Sequence, residues 1–241
     1  MIALLCSVQN EADLLLAQTN VFENITLGSK SIYAGMLAGQ EICLSVGGMG
    51  KVNAAHAATL LFTQFRPKIL ILFGIGGAYP ASGAEVGDIA LAHEEIAGDE
   101  GVLTLDGFKD TEYISIPLAR AAGTNFFNCF PASALLLNRA HHALTRKMDG
   151  THIHMGTFVT LSTCTGTSNR AAELDTHYNG LCENMEGAAA AQVATLHSIP
   201  WLEIRGISNI VEDRDLDKWD IPRAAETVQK AVIGILEAWD T

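Results

Sequence analysis

Residues 69–78 read ILILFGIGGA, five large apolar side chains in a row and then three glycines in four positions. An unbroken apolar run of strand length marks a strand buried on both faces, as in sheets covered by helices on either side. The glycine-rich part, 74–78, reads as a tight exit loop that lets a flat or anionic ligand approach the backbone. It is neither a dinucleotide fingerprint nor a P-loop, since no Gly-Lys-Ser/Thr follows. Upstream, KVNAAHAATLLFTQF (51–65) is alanine- and leucine-rich and is stopped by Pro67, so it predicts a helix. Downstream, DIALAH (88–93) is a second apolar strand.

The same alternation runs through the rest of the chain. Strands are expected at 2–8, at 31–37 and 40–46 (a hairpin turning at Ala38 and Gly39), near 153–161, and at WLEIRGISN (201–209). Helices are expected from 11 to 18, at 132–147, at 168–178 with Ser168 as N-cap, at 186–197 and at 222–239. Residues 98–128 lack a period and predict loops. Apolar strands alternating with helices predict a single α/β domain over residues 1–241, with helices on both faces of a parallel or mixed sheet.

Composition narrows the partners. Fifteen basic against 27 acidic side chains give a formal charge of −12 with no basic run. That argues against nucleic acid, which needs a cationic surface. Five scattered cysteines (Cys6, Cys43, Cys129, Cys164, Cys182) form no C-x-x-C pair and predict reduced thiols in a cytoplasmic protein. The start, MIALLCSV, is short, has no basic leader and reads as a first buried strand rather than a signal peptide. No apolar stretch is long enough to span a membrane.

Several side chains carry chemistry. Glu11 follows the first strand, where ligands of α/β folds gather; taken alone it reads first as a solvated helix-start carboxylate favoured by the helix dipole. In NMEGAAAAQ (184–192), Glu186 opens a helix whose next residues are all small, so the helix must pack closely on the sheet. A carboxylate there can accept both hydroxyls of a vicinal diol such as ribose, or Asn184 and Glu186 can simply cap the helix. His152 and His154 point the same way on a strand, but no third residue at a familiar spacing completes a metal site. No metal and no cofactor are expected. The serine-hydrolase elbow G-x-S-x-G is absent.

Taken in order, Glu11, VGGMGKV (46–52), FGIGGA (73–78), VGDI (86–89), Met185 with Glu186, and RGISN (205–209) resemble the purine nucleoside phosphorylase and nucleosidase superfamily. The nearest kind is the nucleosidase of methylthioadenosine and adenosylhomocysteine. The resemblance implies a three-layer α/β/α sandwich around a mixed sheet, usually oligomeric, with a homodimer or higher homo-oligomer expected here. It implies that Glu11 activates water, Glu186 grips the ribose diol and Met185 lines the sugar. Ile75, Gly76 and Gly77 would lie beside the base, and the backbone of Cys164 and Thr165 would contact it. Ser208 and Asn209 would face the purine, with Arg205 orienting Asn209 or Glu186.

Two departures from the family pattern matter. Adenine-cleaving members carry aspartate where this chain has Asn209. An amide donates to O6 or N7 of a 6-oxopurine instead. Phosphorolytic members hold phosphate with arginines, whereas SVQN (7–10) brings none to Glu11 and the loop offers Ile75; water is therefore expected as nucleophile. These features, with FVTLSTCTGT (158–167) and VEDRDLDKWDIP (211–222), resemble the futalosine-hydrolysing branch of menaquinone biosynthesis, which releases hypoxanthine. Met49, Phe126, Phe127 and Trp219 are candidates for the pocket of the 5′ substituent, and Arg214 or Lys218 for its carboxylate.

Overall fold

A computed structural model describes residues 1–239. In chain order the elements are β1 (Ile2–Cys6), α1 (Asp13–Gln18), β2 (Asn20–Leu27), β3 (Lys30–Leu37), β4 (Gln40–Val46), α2 (Lys51–Phe65), β5 (Ile69–Ala78) and β6 (Ile89–Ala97). Five short strands follow: β7 (Val102–Thr104), β8 (Gly107–Lys109), β9 (Ala119–Ala121), β10 (Thr124–Phe126) and β11 (Cys129–Pro131). The chain then forms α3 (Ala134–Lys147), β12 (Ile153–Thr160), α4 (Ser168–Tyr178), β13 (Gly180–Asn184), α5 (Gly187–Leu196), β14 (Trp201–Ile210) and α6 (Ile221–Glu237).

Ten strands make one mixed sheet in the order β11-β6-β12-β13-β5-β1-β4-β3-β2, with β14 pairing both β5 and β6. Strands β5, β14, β6, β12 and β13 thus close on one another, and the sheet ends in a small barrel. One face is covered by α1, α3 and α6, whose Leu15, Leu136, Ala140, Val228 and Ile235 meet Leu4, Ile71 and Leu202. The other is covered by α2 and α5, where Ala58, Leu61, Ala190 and Ala194 meet Leu5, Leu70 and Ile207. This is the expected three-layer sandwich. No described helix is long and apolar enough to cross a membrane.

Some expectations need correction. The glycine-rich segment 74–78 is not a loop but the second half of β5. Its backbone pairs with β14 through Gly74↔Arg205, Gly76↔Ile207 and Gly77↔Asn209, and with β13 through Gly77↔Glu183. The glycines serve close approach rather than turning: none has a positive φ, and a Cβ on Gly76 would run into Cys182 Sγ. Likewise β14 runs one residue past Asn209 instead of ending there. The aperiodic stretch 98–128 holds two small hairpins, β7–β8 and β9–β10, too short for any period to show. Helix α4 is capped by Thr167, whose side chain accepts from Arg170 N at 3.3 Å, and not by Ser168, which is already helical.

Candidate active site

Where the barrel strands β5, β13 and β14 meet the turn after β1, they enclose a cavity of about 280 Å³. Its walls include Glu11, Ile75, Gly76, Gly77, Cys164, Thr165, Asn184, Met185, Glu186, Arg205, Ser208 and Asn209.

Glu11 is buried, in the single turn between β1 and α1. One oxygen, Oε2, accepts from Ser7 N at 2.9 Å and Val8 N at 3.1 Å, and Oε1 accepts from Ile75 N at 2.9 Å. A carboxylate offers about four acceptor sites, so three backbone donors leave one free. Glu11 is therefore not a solvated helix-start carboxylate. Burial raises its pKa, against the opposing pull of Arg205 and of the three amides. Ser7 Oγ, also in the wall, is buried without a partner.

Glu186 stands at the N-cap position of α5 but does not cap it. Asn184 does so instead, its Oδ1 accepting from Glu186 N at 2.9 Å and Gly187 N at 2.7 Å. The Glu186 carboxylate turns into the cavity wall, with Oε1 taking Gly50 N at 2.9 Å and Oε2 taking Arg205 Nη1 at 3.3 Å. One acceptor site per oxygen is left, the pattern that two neighbouring hydroxyls require.

Arg205 is 1% exposed and pairs with Glu203 through Nε at 2.8 Å, while its Nη1 also donates to Ile75 O at 3.1 Å. Burial opposes its charge, but Glu203, Glu186 and Glu11 outweigh that and hold the guanidinium protonated. It therefore bears on Glu186; none of its hydrogen bonds goes to Asn209. The residues around Glu11 in the sequence include no cation, yet Arg205 arrives from β14, its Nε and Nη1 committed to two carboxylates and a carbonyl and its Nη2 buried without a partner.

Asn209 has a fixed orientation. Its amide faces Ile210 O at 3.1 Å, and a carbonyl only accepts, so that atom must be Nδ2. The oxygen then receives the Ser208 hydroxyl at 2.8 Å. The second Nδ2 hydrogen is left to be donated.

Other expectations are revised. The amide of Thr165 is taken by Glu183 Oε1 at 2.8 Å, so it is not offered to a ligand. Met49, Arg214 and Trp219 line the cavity, with the guanidinium 4.8 Å above the indole ring. Phe126 and Phe127 lie in a separate surface depression beside His177 and Tyr178, and Lys218 pairs with Glu212 at 2.7 Å. The fold does supply a third group to His152 and His154: Asp88, with ligand atoms of all three within 4.8 Å. His154 Nε2 and Asp88 Oδ2 pair at 2.9 Å, and none of the three lines the cavity.

The small residues of α5 have a direct cause. A Cβ on Gly187 would run into Glu95 Oε1 and stand 2.6 Å from Glu203 Oε2. Gly187→Ala is expected to cost about 1–3 kcal/mol by overpacking, roughly 2–12 °C in Tm for a chain of this size. Thermal unfolding followed by circular dichroism checks this.

The phosphorylase superfamily model matches residues 1–237. The chain belongs to this superfamily. Among its members, a 5′-methylthioadenosine/S-adenosylhomocysteine nucleosidase of Maridesulfovibrio salexigens is 30% identical over 213 residues, 88% of this chain and 87% of that protein. A futalosine hydrolase of Streptomyces coelicolor is 34% identical over 205 residues, 81% of this chain and 80% of that one. The superfamily fold is shared with the Neisseria meningitidis 5′-methylthioadenosine/S-adenosylhomocysteine nucleosidase in complex with methylthio-immucillin-A. That match has a TM-score of 0.85 at 25% identity and covers 98% of both chains.

Proposed function

We propose that this protein hydrolyses the N-glycosidic bond of futalosine, a 6-oxopurine nucleoside, releasing hypoxanthine and dehypoxanthine futalosine. The observation that supports the base preference is the Asn209 amide, pinned by Ile210 O and Ser208 so that one N–H at the cavity wall is left to donate. An amide N–H satisfies O6 of a 6-oxopurine, whereas the 6-amino group of adenine at the same place would bring donor against donor.

In the proposed reaction, Glu186 holds the ribose hydroxyls on its two remaining acceptor sites, beside Met185. Glu11 uses its one free site to orient water on the face opposite the base and takes its proton as attack proceeds. The C1′–N bond breaks through an oxocarbenium-like state, the new C1′–O bond comes from water, and the electron pair leaves with the purine. Asn209 stabilises that developing negative charge by hydrogen bonding; having no titratable proton, it does not protonate the base. Arg214, stacked over Trp219 at the cavity wall, is the proposed partner of the 5′ carboxylate. No cofactor enters this scheme.

A second reading, a methylthioadenosine/adenosylhomocysteine nucleosidase, is favoured by the names of several relatives. A third, phosphorolysis, separates by a simple assay. Hypoxanthine release followed by absorbance is expected to proceed at the same rate, within about twofold, with and without phosphate, because Arg205 is held through Nε and Nη1 by Glu203, Glu186 and Ile75 O and its charge already faces the carboxylates of Glu203, Glu186 and Glu11. Release only in the presence of phosphate would make the protein a phosphorylase, and nucleoside binding without base release would make it a non-catalytic module.

The proposal includes a homodimer in the cytoplasm. Exposed apolar side chains include Leu103, Leu105, Tyr113 and Ile116, and Met49 and Val52 at the start of α2. Lys51 ties the two regions by ion pairs with Asp99 and Glu100. Surface of this kind commonly marks an interface.

A further inference from the structure

Behind the cavity lies a group of side chains that the reaction scheme does not use. Glu95 of β6 and Glu203 of β14 are both 0% exposed, and Glu95 Oε1 and Glu203 Oε2 both lie within 2.6 Å of where a Cβ on Gly187 would stand. Two carboxyl groups this close and this deep can pair only if one carries a proton. The geometry tells which. Glu203 accepts from Arg205 Nε at 2.8 Å, the partner of an ionised carboxylate. Its other oxygen, Oε2, is buried with no N–H or hydroxyl donor, and an acid proton on the neighbouring Glu95 would satisfy it. Burial, and then the charge of Glu203, push Glu95 well above the usual carboxylate range, in agreement. A second ionised carboxylate at this depth would cost several kcal/mol.

From Glu95 two arms run to the same residue. One passes through Glu203 and Arg205 to Glu186 Oε2 at 3.3 Å. The other passes through Asn184, whose Nδ2 donates to Glu95 Oε1 at 2.5 Å and whose Oδ1 takes the backbone N–H of Glu186 at 2.9 Å. Thr160 Oγ1 closes the group by donating to Glu95 Oε2 at 2.7 Å. One arm fixes the carboxylate of Glu186 and the other its main chain.

We infer that Glu95 and Glu203 are positioning residues for Glu186, with Glu95 acting as a neutral acid and Glu203 as the anion that anchors Arg205. The inference rests on the reading of Glu186 as the ribose ligand, and the test separates the two. Steady-state cleavage of the preferred ribonucleoside and of its 2′-deoxy counterpart is compared in Glu186→Gln, Glu203→Gln and Glu95→Gln. The ribose-to-deoxyribose ratio of kcat/KM reports the grip of Glu186. A merely structural defect lowers both substrates alike and leaves the ratio unmoved.

Glu186→Gln is expected to collapse the ratio; if it does not, the ribose reading itself fails. Glu203→Gln is expected to lower the ratio at least tenfold, because Arg205 then leans on Glu186 without its anchor. Glu95→Gln, which keeps a neutral group able to donate and accept, is expected to hold the ratio within about threefold. A ratio that collapses in Glu186→Gln but is unchanged in Glu203→Gln overturns the positioning role. A ratio lost in Glu95→Gln overturns the neutral-acid assignment, and this variant decides the matter should Glu203→Gln not fold.

Discussion

Replacing Glu11 by Gln is expected to lower kcat by about 10²–10⁴-fold, the usual range for losing a general base, while hypoxanthine binding stays within a few-fold of the wild type. The expectation follows from the acceptor count. Three backbone amides converge on the carboxylate and leave a single site, which only an ionised oxygen can use to draw a proton from water. An amide at the same place holds the water poorly and takes no proton. Hypoxanthine release gives the rate and isothermal calorimetry the binding; a near-normal rate would remove Glu11 from the mechanism. The pH dependence has a definite sign. Burial raises the pKa of Glu11, so the base is lost on acidification at a pH above that of an ordinary glutamate. The acid limb of kcat/KM should lie above the ordinary glutamate range and should be absent from the residual activity of Glu11→Gln.

The second large effect concerns the base. Asn209→Asp is expected to shift the ratio of kcat/KM for 6-oxo over 6-amino nucleosides by about 10²-fold or more toward the amino substrate, the scale on which mismatched buried hydrogen bonds discriminate. The Ser208 hydroxyl can still serve the new side chain, but Ile210 O can accept from a carboxyl group only if that group is protonated. Turned from Ile210 O to the ligand, that one proton can serve the purine N7, and the second oxygen can accept from an exocyclic amine. Competition between futalosine and its 6-amino analogue measures the ratio. An unchanged value would mean that Asn209 does not read position 6.

The helices and apolar strands were legible because their periods and stop signals are local: 51–65 ends where Pro67 forbids continuation, and the 69–73 run has only one stable environment. The second half of β5 was not, since a run of glycines reads the same whether it turns the chain or lets two other strands come close. Only pairing with β13 and β14 distinguishes these cases. The site was legible through an ordered resemblance rather than through any one residue; Glu11 and Glu186 each had an ordinary capping alternative until their hydrogen bonds were known. Glu95 and Glu203 were missed although a signal existed. Glu203 is a carboxylate within the buried strand β14 and Glu95 one beside the apolar run of β6, and a buried acid demands a partner. That they face each other depends on the antiparallel pairing of β6 with β14, which places Ile204 opposite Leu91 and cannot be read from spacing. Phe126 and Phe127 failed for the opposite reason: aromatic character suits a pocket, but the β9–β10 hairpin carries them elsewhere.

The central claim is that a neutral amide selects a 6-oxopurine while a buried carboxylate directs water at its sugar. The most direct measurement is kcat/KM for futalosine and for its 6-amino analogue, in phosphate-free buffer, with the wild-type protein. A preference for futalosine of at least about 10²-fold is expected. Equal rates, or faster release of adenine, would contradict the account.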